Sequence, residues 1–595
     1  MNRVGCGVGL REKRAVLVVG VVLLGGVATC RRSSGPPRWN GPTLSEPRDQ
    51  LTVPELVSGE MPELIDLSYL AEPAWSESGA LPFEGSLALS ASALLLDFPS
   101  SRELYAGEDL FPEVTLDFVS DEGLLVPLSR RLIATDAESE SQWDILVGAG
   151  AVWKEPGDDD AGEDWSRASF PLNLVDRYFN QVRNCVATFV YRAEQVSDVY
   201  VQCSQETADL WDEQVGNIQA MVPATYTPSA FPESADVLQA HARAIDRRIP
   251  TRPLREWDVG GELAESFDTN IETSASTSVG AIYSDGVLYV HPPWTRHGPY
   301  PYPEEMRHGV YSVSKSLAGS LAMFYFAERY GEDLFDTLIS DYAPAFADLS
   351  EWDNVTFGDA LNMATGTRGG EEAALLYEPV VLADTAEAAI ANIAGFGDAP
   401  EAPGEAFAYA TTHTFVVSYA LQKYVEAQEG PGVQYWDLVR ENVLEPIGAG
   451  DFDLLMTRDP DPADRIPTLG FGARPTLDEA TKVAVLIFNE GLHDGEQLLH
   501  AQAVRKALGR DEGKGLRVDR KTRYRYSFWN RDVRIPRSSG CGTACVAHAA
   551  TMQGFGGNYV ALLESGVILL RFMDEFDEDI EDLVVRTERV APSCN

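Results

Sequence analysis

Positive charge is what this chain of 595 residues most lacks: 47 Lys plus Arg face 92 Asp plus Glu, for a formal net charge of −45. A surface of that sign repels phosphate backbones and anionic lipid head groups, so nucleic acid is not an expected partner. Lysine is the scarcer basic residue, with only eight in the chain, so any motif that needs one is easily located. Long apolar runs are missing too. The run at residues 15–28, AVLVVGVVLLGGVA, falls short of the about 20 residues a membrane-spanning helix requires. There is no G-x-S-x-G elbow, no H-E-x-x-H pair and no Walker-type phosphate loop. That leaves α/β-hydrolase, zincin and P-loop chemistry without support. No internal repeat suggests a solenoid.

What is present is ordinary globular material, 44% hydrophobic and 23% charged. The chain is too long for one core, so two or more domains are expected. Arg3, Arg11, Lys13 and Arg14 precede the short apolar run, which ends at VATC, with Cys30 followed by Arg31, Arg32 and Ser33. That is the layout of an export signal. Its end resembles a bacterial lipobox, whose cysteine is lipidated and becomes residue one; Thr29 stands where that motif usually has Gly, Ala or Ser. Residues 1–30 are therefore read as a signal with Cys30 as lipidation site. The implied location is extracytoplasmic, anchored to a bacterial membrane in the periplasm or at the cell surface.

In an exported protein the remaining five cysteines are expected to form disulfides rather than hold metal. Cys185 and Cys203 bound CVATFVYRAEQVSDVYVQC, two β-rich runs joined near Ala193-Glu194-Gln195. Pairing positions that sum to 388 sets Cys185 opposite Cys203, Ala187 opposite Val201 and Phe189 opposite Val199, which makes a cross-strand disulfide geometrically reasonable. Cys541, Cys545 and Cys594 leave one pair and one odd thiol, unassigned. The run CGTACVAH has no second ligand cluster, so no metal site is expected.

Residues 31–60, rich in Pro, Ser, Gly and charge, read as a mobile tether. From 61 to 232 short apolar runs alternate with acidic turns, the texture of a β-rich, sandwich-like domain of opaque role. A proline-rich boundary at 221–234 precedes a change of texture, and 233–595 forms the second domain. Within it, residues 278–292 read as two strands around Asp285-Gly286. A helix is expected from Val313 to Tyr330, stopped by Gly331. Strands flank Ser565-Gly566, and an acidic helix follows. Strands, helices, then strands again imply an α/β (α+β) domain with an antiparallel sheet and a helical insert.

Residues 310–316 read VYSVSKS. At a helix start, Ser312 and Lys315 share a face one turn apart, so the amine can reach the hydroxyl that must be deprotonated to attack. Burial and the positive helix end both lower a lysine's pKa there. With eight lysines, however, a chance S-x-x-K is expected about half a time.

Agreement elsewhere gives the motif weight. YSVSKSLAGSLAMF, NVTFGDALNMATGT (354–367), PGEAFAYATTHT (403–414), PTLDEATKVAVLIFNEGLHDGEQLL (475–499) and MQGFGGNYVALLESGVILLRF (552–572) follow one another. In that order they resemble segments of the serine β-lactamase-like hydrolases, the class C, penicillin-binding and esterase type. The resemblance spans about 240–575 and implies a β-lactamase/transpeptidase-like fold. It implies Ser312 as the acylated nucleophile, Lys315 as its proton carrier and Tyr409 as partner acid or base, a phenol pushed towards phenolate. The N–H groups of Ser312 and Phe555 would hold the oxyanion. Gly554, Gly556 and Gly557 would let substrate lie flat.

Two departures matter. Thr411 stands where the family commonly has a substrate-orienting Asn, and Met552-Gln553 where it has Lys-Thr. Losing that lysine removes a carboxylate anchor, so weak or absent β-lactamase activity on Ser312 is expected, with an ester, amide or short peptide substrate instead. His413, four residues from Tyr409, reads as a polar surface residue. No cofactor is implied. The competing expectation is an inactive binding or scaffold lipoprotein on the same fold.

Overall fold

Phe170, Leu172 and Leu174 on the strand Ser166–Asp176 alternate with residues of the opposite face, as do Cys185, Ala187 and Phe189 on the strand Val182–Arg192. Period-two patterning of this kind assigns one face of each strand to one core. Here both faces are covered, because every residue of Ser166–Asp176 is buried. The computed structural model describes residues 44–593 except 45–47, 98–105, 137, 159–163, 206–216, 268–276, 292–293, 296–297, 512, 514, 538–543 and 574–579. Residues 1–30, read as a signal ending at Cys30, and Cys541 and Cys594, lie outside the described residues.

Twelve of the strands between residues 84 and 228 form one antiparallel sheet, and Ser92–Ala93 and Leu110–Phe111 pair separately. Leu87 and Ile218, near its two ends, share one apolar core with Phe118, Phe170 and Phe189. The sheet therefore curls over a single core, where two stacked sheets were expected. Cys185 pairs with Cys203 and Ala187 with Val201, and the Cys185–Cys203 disulfide is formed. The pairing shifts beyond Thr188, so Tyr191 faces Val196 and the expected Phe189–Val199 pair is absent. Cys545 is also disulfide-bonded.

A second sheet of nine strands carries the later part of the chain, in the order Thr251–Pro253, Val287–His291, Thr277–Ser284, Ile568–Met573, Asn558–Leu563, Cys545–Gly554, Phe528–Ile535, Thr522–Arg525, Leu516–Arg517. Asp285 and Gly286 turn the first hairpin with φ of 50° and 80°, as the Asp-Gly signal requires. One face of this sheet packs Ala281, Met552, Val560 and Leu570 against the helical insert. The other packs Ile282, Ala549 and Leu569 against the C-terminal helix Ile580–Val590.

The two sheets sit in one compact unit, residues 37–595. Leu51 and Leu56, in a segment read as tether, are buried with Val186, Val190 and Tyr200 on the outer face of the first sheet. The ordered body thus reaches back to at least Arg48, whose guanidinium pairs with Glu155 at 2.8 Å. Composition misled because the six-residue helix Val53–Ser58 is anchored through one fully buried side chain, Leu56. Across the sheets, Asn184 makes two bonds to the Arg307 backbone, accepting at 2.9 Å and donating at 2.8 Å. The Tyr300 hydroxyl donates to the Cys185 carbonyl at 2.8 Å.

Candidate active site

The chain enters the nucleophile turn strained. Tyr311 has φ of +46°, which costs an aromatic residue about 1–2 kcal/mol. A tight turn, Tyr311–Val313, passes into a widened π-type turn, Lys315–Ser320, before the α-helix Leu321–Tyr330 begins. The uniform helix expected from Val313 thus exists only from Leu321, and widened turns are frequent at functional sites. Lys315 is 1% exposed. Its Nζ donates to Ser312 Oγ, to Thr411 Oγ1 and to the Gly470 carbonyl, each at 2.8 Å. Three acceptors match the three protons of an ammonium. A neutral amine would keep two donors and turn its lone pair to the serine proton. Burial lowers the Lys315 pKa to about 8, against an opposing pull from the Glu371 carboxylate.

Thr411 opens the helix Thr411–Glu429. Its hydroxyl accepts from Lys315 and donates to Glu371 Oε2 at 2.9 Å, while its N–H donates to Glu371 Oε1 at 2.5 Å. A hydroxyl in place of the family's amide therefore still grips the lysine. Tyr409 lies two residues before, its ring 4.9 Å from Lys315 Nζ and its phenol bonded to Ser312. Phe407, Tyr524 and Trp529 surround that ring. Burial first, and Glu371 second, push the Tyr409 phenol well above its ordinary value, outweighing the Ser312 bond. The expected shift towards phenolate is thus corrected: desolvation and the Glu371 carboxylate favour the protonated phenol.

Strand Cys545–Gly554 runs alongside the nucleophile turn. A Cβ on Gly554 would meet the Val310 carbonyl oxygen at 2.1 Å, so glycine is required by backbone approach, not by a flat-lying substrate. Phe555 and Gly556 follow on the tight turn Phe555–Gly557, with Gly556 at φ 76°. Phe555 stacks edge-on against Tyr311 at 5.3 Å. Met552 is fully buried in the core beneath, and Gln553 bonds Thr551 at 2.8 Å.

Residues 274–531 match the family model described as Beta-lactamase. That stretch is a beta-lactamase-family domain. The family is one of serine hydrolases. Among solved structures, the beta-lactamase-family domain is similar to a family VIII carboxylesterase, at 19% identity over 56% of this chain and 97% of that one, TM-score 0.39. A penicillin-binding protein homologue from Caulobacter crescentus matches at 18% identity over 56% and 95%, TM-score 0.41. A class C beta-lactamase matches at 14% identity over 57% and 96%, TM-score 0.41. No curated protein matches the chain.

Ser312 opens into a cavity of about 690 Å³. Phe179, Tyr377, Phe471, Trp529, Phe555 and Tyr559 make its lining largely aromatic, and Glu371 and Arg531 are its charged members. Arg531 faces Glu581 at 3.6 Å. His413 is not a surface residue: it is 1% exposed, bonds Thr365 at 3.0 Å, and burial lowers its pKa to about 4. It is buried because the first turns of its helix are enclosed on every side. Glu371, Gly470, Arg531 and the pair Phe179-Asn180 went unread in the sequence. Of these only GFG, around Phe471, carried a visible signal of close backbone approach.

The Glu371 contact yields a signed expectation. Activity that needs a neutral Lys315 should rise with pH through a midpoint near 8. In Glu371→Gln the amide keeps one acceptor oxygen for Thr411, but the ammonium loses its stabilising charge, so the midpoint moves to lower pH. A pH profile of kcat/KM on a neutral ester reads this directly; an unmoved or raised midpoint refutes the coupling.

Proposed function

We propose that the chain is an exported serine hydrolase acting through an acyl-enzyme on Ser312, on a neutral ester, amide or short peptide, with little or no action on β-lactams. The observation that carries this reading is the 2.8 Å contact between a fully buried lysine amine and the Ser312 hydroxyl. With a pKa about 8, roughly a tenth of molecules hold Lys315 neutral at pH 7. That amine takes the Ser312 proton as Oγ bonds to the substrate carbonyl carbon. The Ser312 and Phe555 N–H groups receive the oxyanion. As the intermediate collapses, the Tyr409 phenol protonates the leaving group and regains its proton from Lys315. Water then repeats the sequence on the acyl carbonyl, releasing the acid and restoring Ser312.

The aromatic lining favours apolar substituents. The core position of Met552 leaves no lysine there for a β-lactam carboxylate, and Arg531 is already drawn to Glu581. The Cys185–Cys203 disulfide suits an oxidising compartment, supporting export, and the VATC ending supports lipidation at Cys30. Radiolabelled fatty acid taken up by the wild-type chain but not by Cys30→Ala checks the anchor.

A fluorophosphonate probe tests the hydrolase reading. Expected is one adduct per chain, mapped by peptide mass to the segment containing Ser312, alongside no adduct from a fluorescent penicillin. No fluorophosphonate adduct would favour a scaffold protein instead.

A further inference from the structure

The turn between strands Ser166–Asp176 and Val182–Arg192 belongs to the first sheet, yet it reaches Ser312. Its shape is fixed locally: the buried Asp176 carboxylate accepts from Tyr178 N at 2.7 Å and Phe179 N at 2.8 Å. Arg474, from the hydrolase domain, donates to the carbonyls of Asp176 and Phe179. The turn therefore presents two side chains in fixed positions. Asn180 is fully buried, and its carboxamide works at both ends. Oδ1 accepts from Tyr311 N at 2.6 Å, and Nδ2 donates to the Ala473 carbonyl at 3.1 Å.

Those two partners are not ordinary neighbours. Tyr311 is the strained residue immediately before the nucleophile. Ala473 ends the loop whose Gly470 carbonyl receives Lys315, and its own N–H donates to Ser314 Oγ at 2.9 Å. One amide thus joins the backbone that aims Ser312 to the loop that holds its lysine. Beside it, Phe179 lies in the cavity wall, stacked on Tyr377 with ring centroids 5.6 Å apart and planes 13° from parallel.

We propose that Asn180 is a positioning residue for Ser312, and that the Phe179–Tyr377 stack is the wall that selects a ring-sized apolar group of the substrate, so that the β-rich domain is a working part of the active site. The strain at Tyr311 persists only if surrounding structure holds it, and Asn180 is a donor-acceptor pair suited to that task. The proposal rests on Ser312 being the nucleophile.

The test is the rate of fluorophosphonate labelling, followed over probe concentration in the full chain and normalised to sites labelled at the end point. Unfolded protein then lowers the amplitude and not the rate constant. Asn180→Ala should slow the saturating rate about 10- to 100-fold, the scale of a misplaced nucleophile, with probe affinity unchanged. Asn180→Asp keeps the acceptor for Tyr311 N and should recover part of the loss. Phe179→Ala should lower the preference for phenylacetate over acetate esters about tenfold in kcat/KM. If Asn180→Ala labels at the wild-type rate constant, the positioning role is overturned; if Phe179→Ala keeps the ester preference, the wall is. A wild-type chain that takes no label overturns the nucleophile assignment together with this proposal, a result distinct from either.

Discussion

Lys315→Ala will lower kcat/KM on a neutral ester by about 10³-fold, near 4 kcal/mol of transition-state stabilisation. Among the described residues no other group stands ready to accept the serine proton. Tyr409 is held protonated by burial and by Glu371. Glu371 reaches Thr411 rather than Ser312. His413 is tied to Thr365. Truncation also strands Thr411 Oγ1 and the Gly470 carbonyl without their common donor, so a thermal melt should accompany the kinetics. The sharper comparison is Lys315→Arg. A guanidinium keeps the positive charge and can still donate, but it does not give up a proton at any accessible pH. If Lys315 acts as a base, the arginine variant is as slow as the alanine one; an arginine variant retaining a tenth or more of wild-type activity would reduce the lysine to an electrostatic role.

What the sequence disclosed and what it hid divide along contact range. Ser312 and Lys315 are three residues apart, and helical geometry alone brings them together, so their contact was legible before any tertiary structure. The Asp285-Gly286 hairpin and the Cys185–Cys203 pairing were legible for the same reason, since each is closed by a short turn. Glu371 is 40 residues from Thr411, and Asn180 is 131 from Tyr311. Neither lies in a motif, and only the folded chain puts them in place. The same holds for strand order: short apolar runs announced a β-rich domain, but not that one sheet would curl over one core. His413 and Leu56 failed differently. Each sits among polar or small residues, where local composition says surface, and each is buried because another part of the chain covers it. Tyr409 lies beside Lys315, and the burial and acidic neighbour that raise its pKa are both long-range, so its protonation was not legible.

That protonation state separates two roles for the phenol, and Tyr409→Phe tells them apart. Phenylalanine keeps the ring among Phe407, Tyr524 and Trp529, so packing changes little. As the acid for the leaving group, the hydroxyl matters in proportion to how poor that group is. An alkyl ester or an anilide must be protonated as it departs, and its kcat/KM should fall about 10²- to 10⁴-fold. A p-nitrophenyl ester expels a stable anion unaided, and should lose less than about tenfold. A base that activated Ser312 would instead be needed for every substrate alike, because the attack step is common to all of them. Equal losses on the two ester classes would return Tyr409 to the role of base.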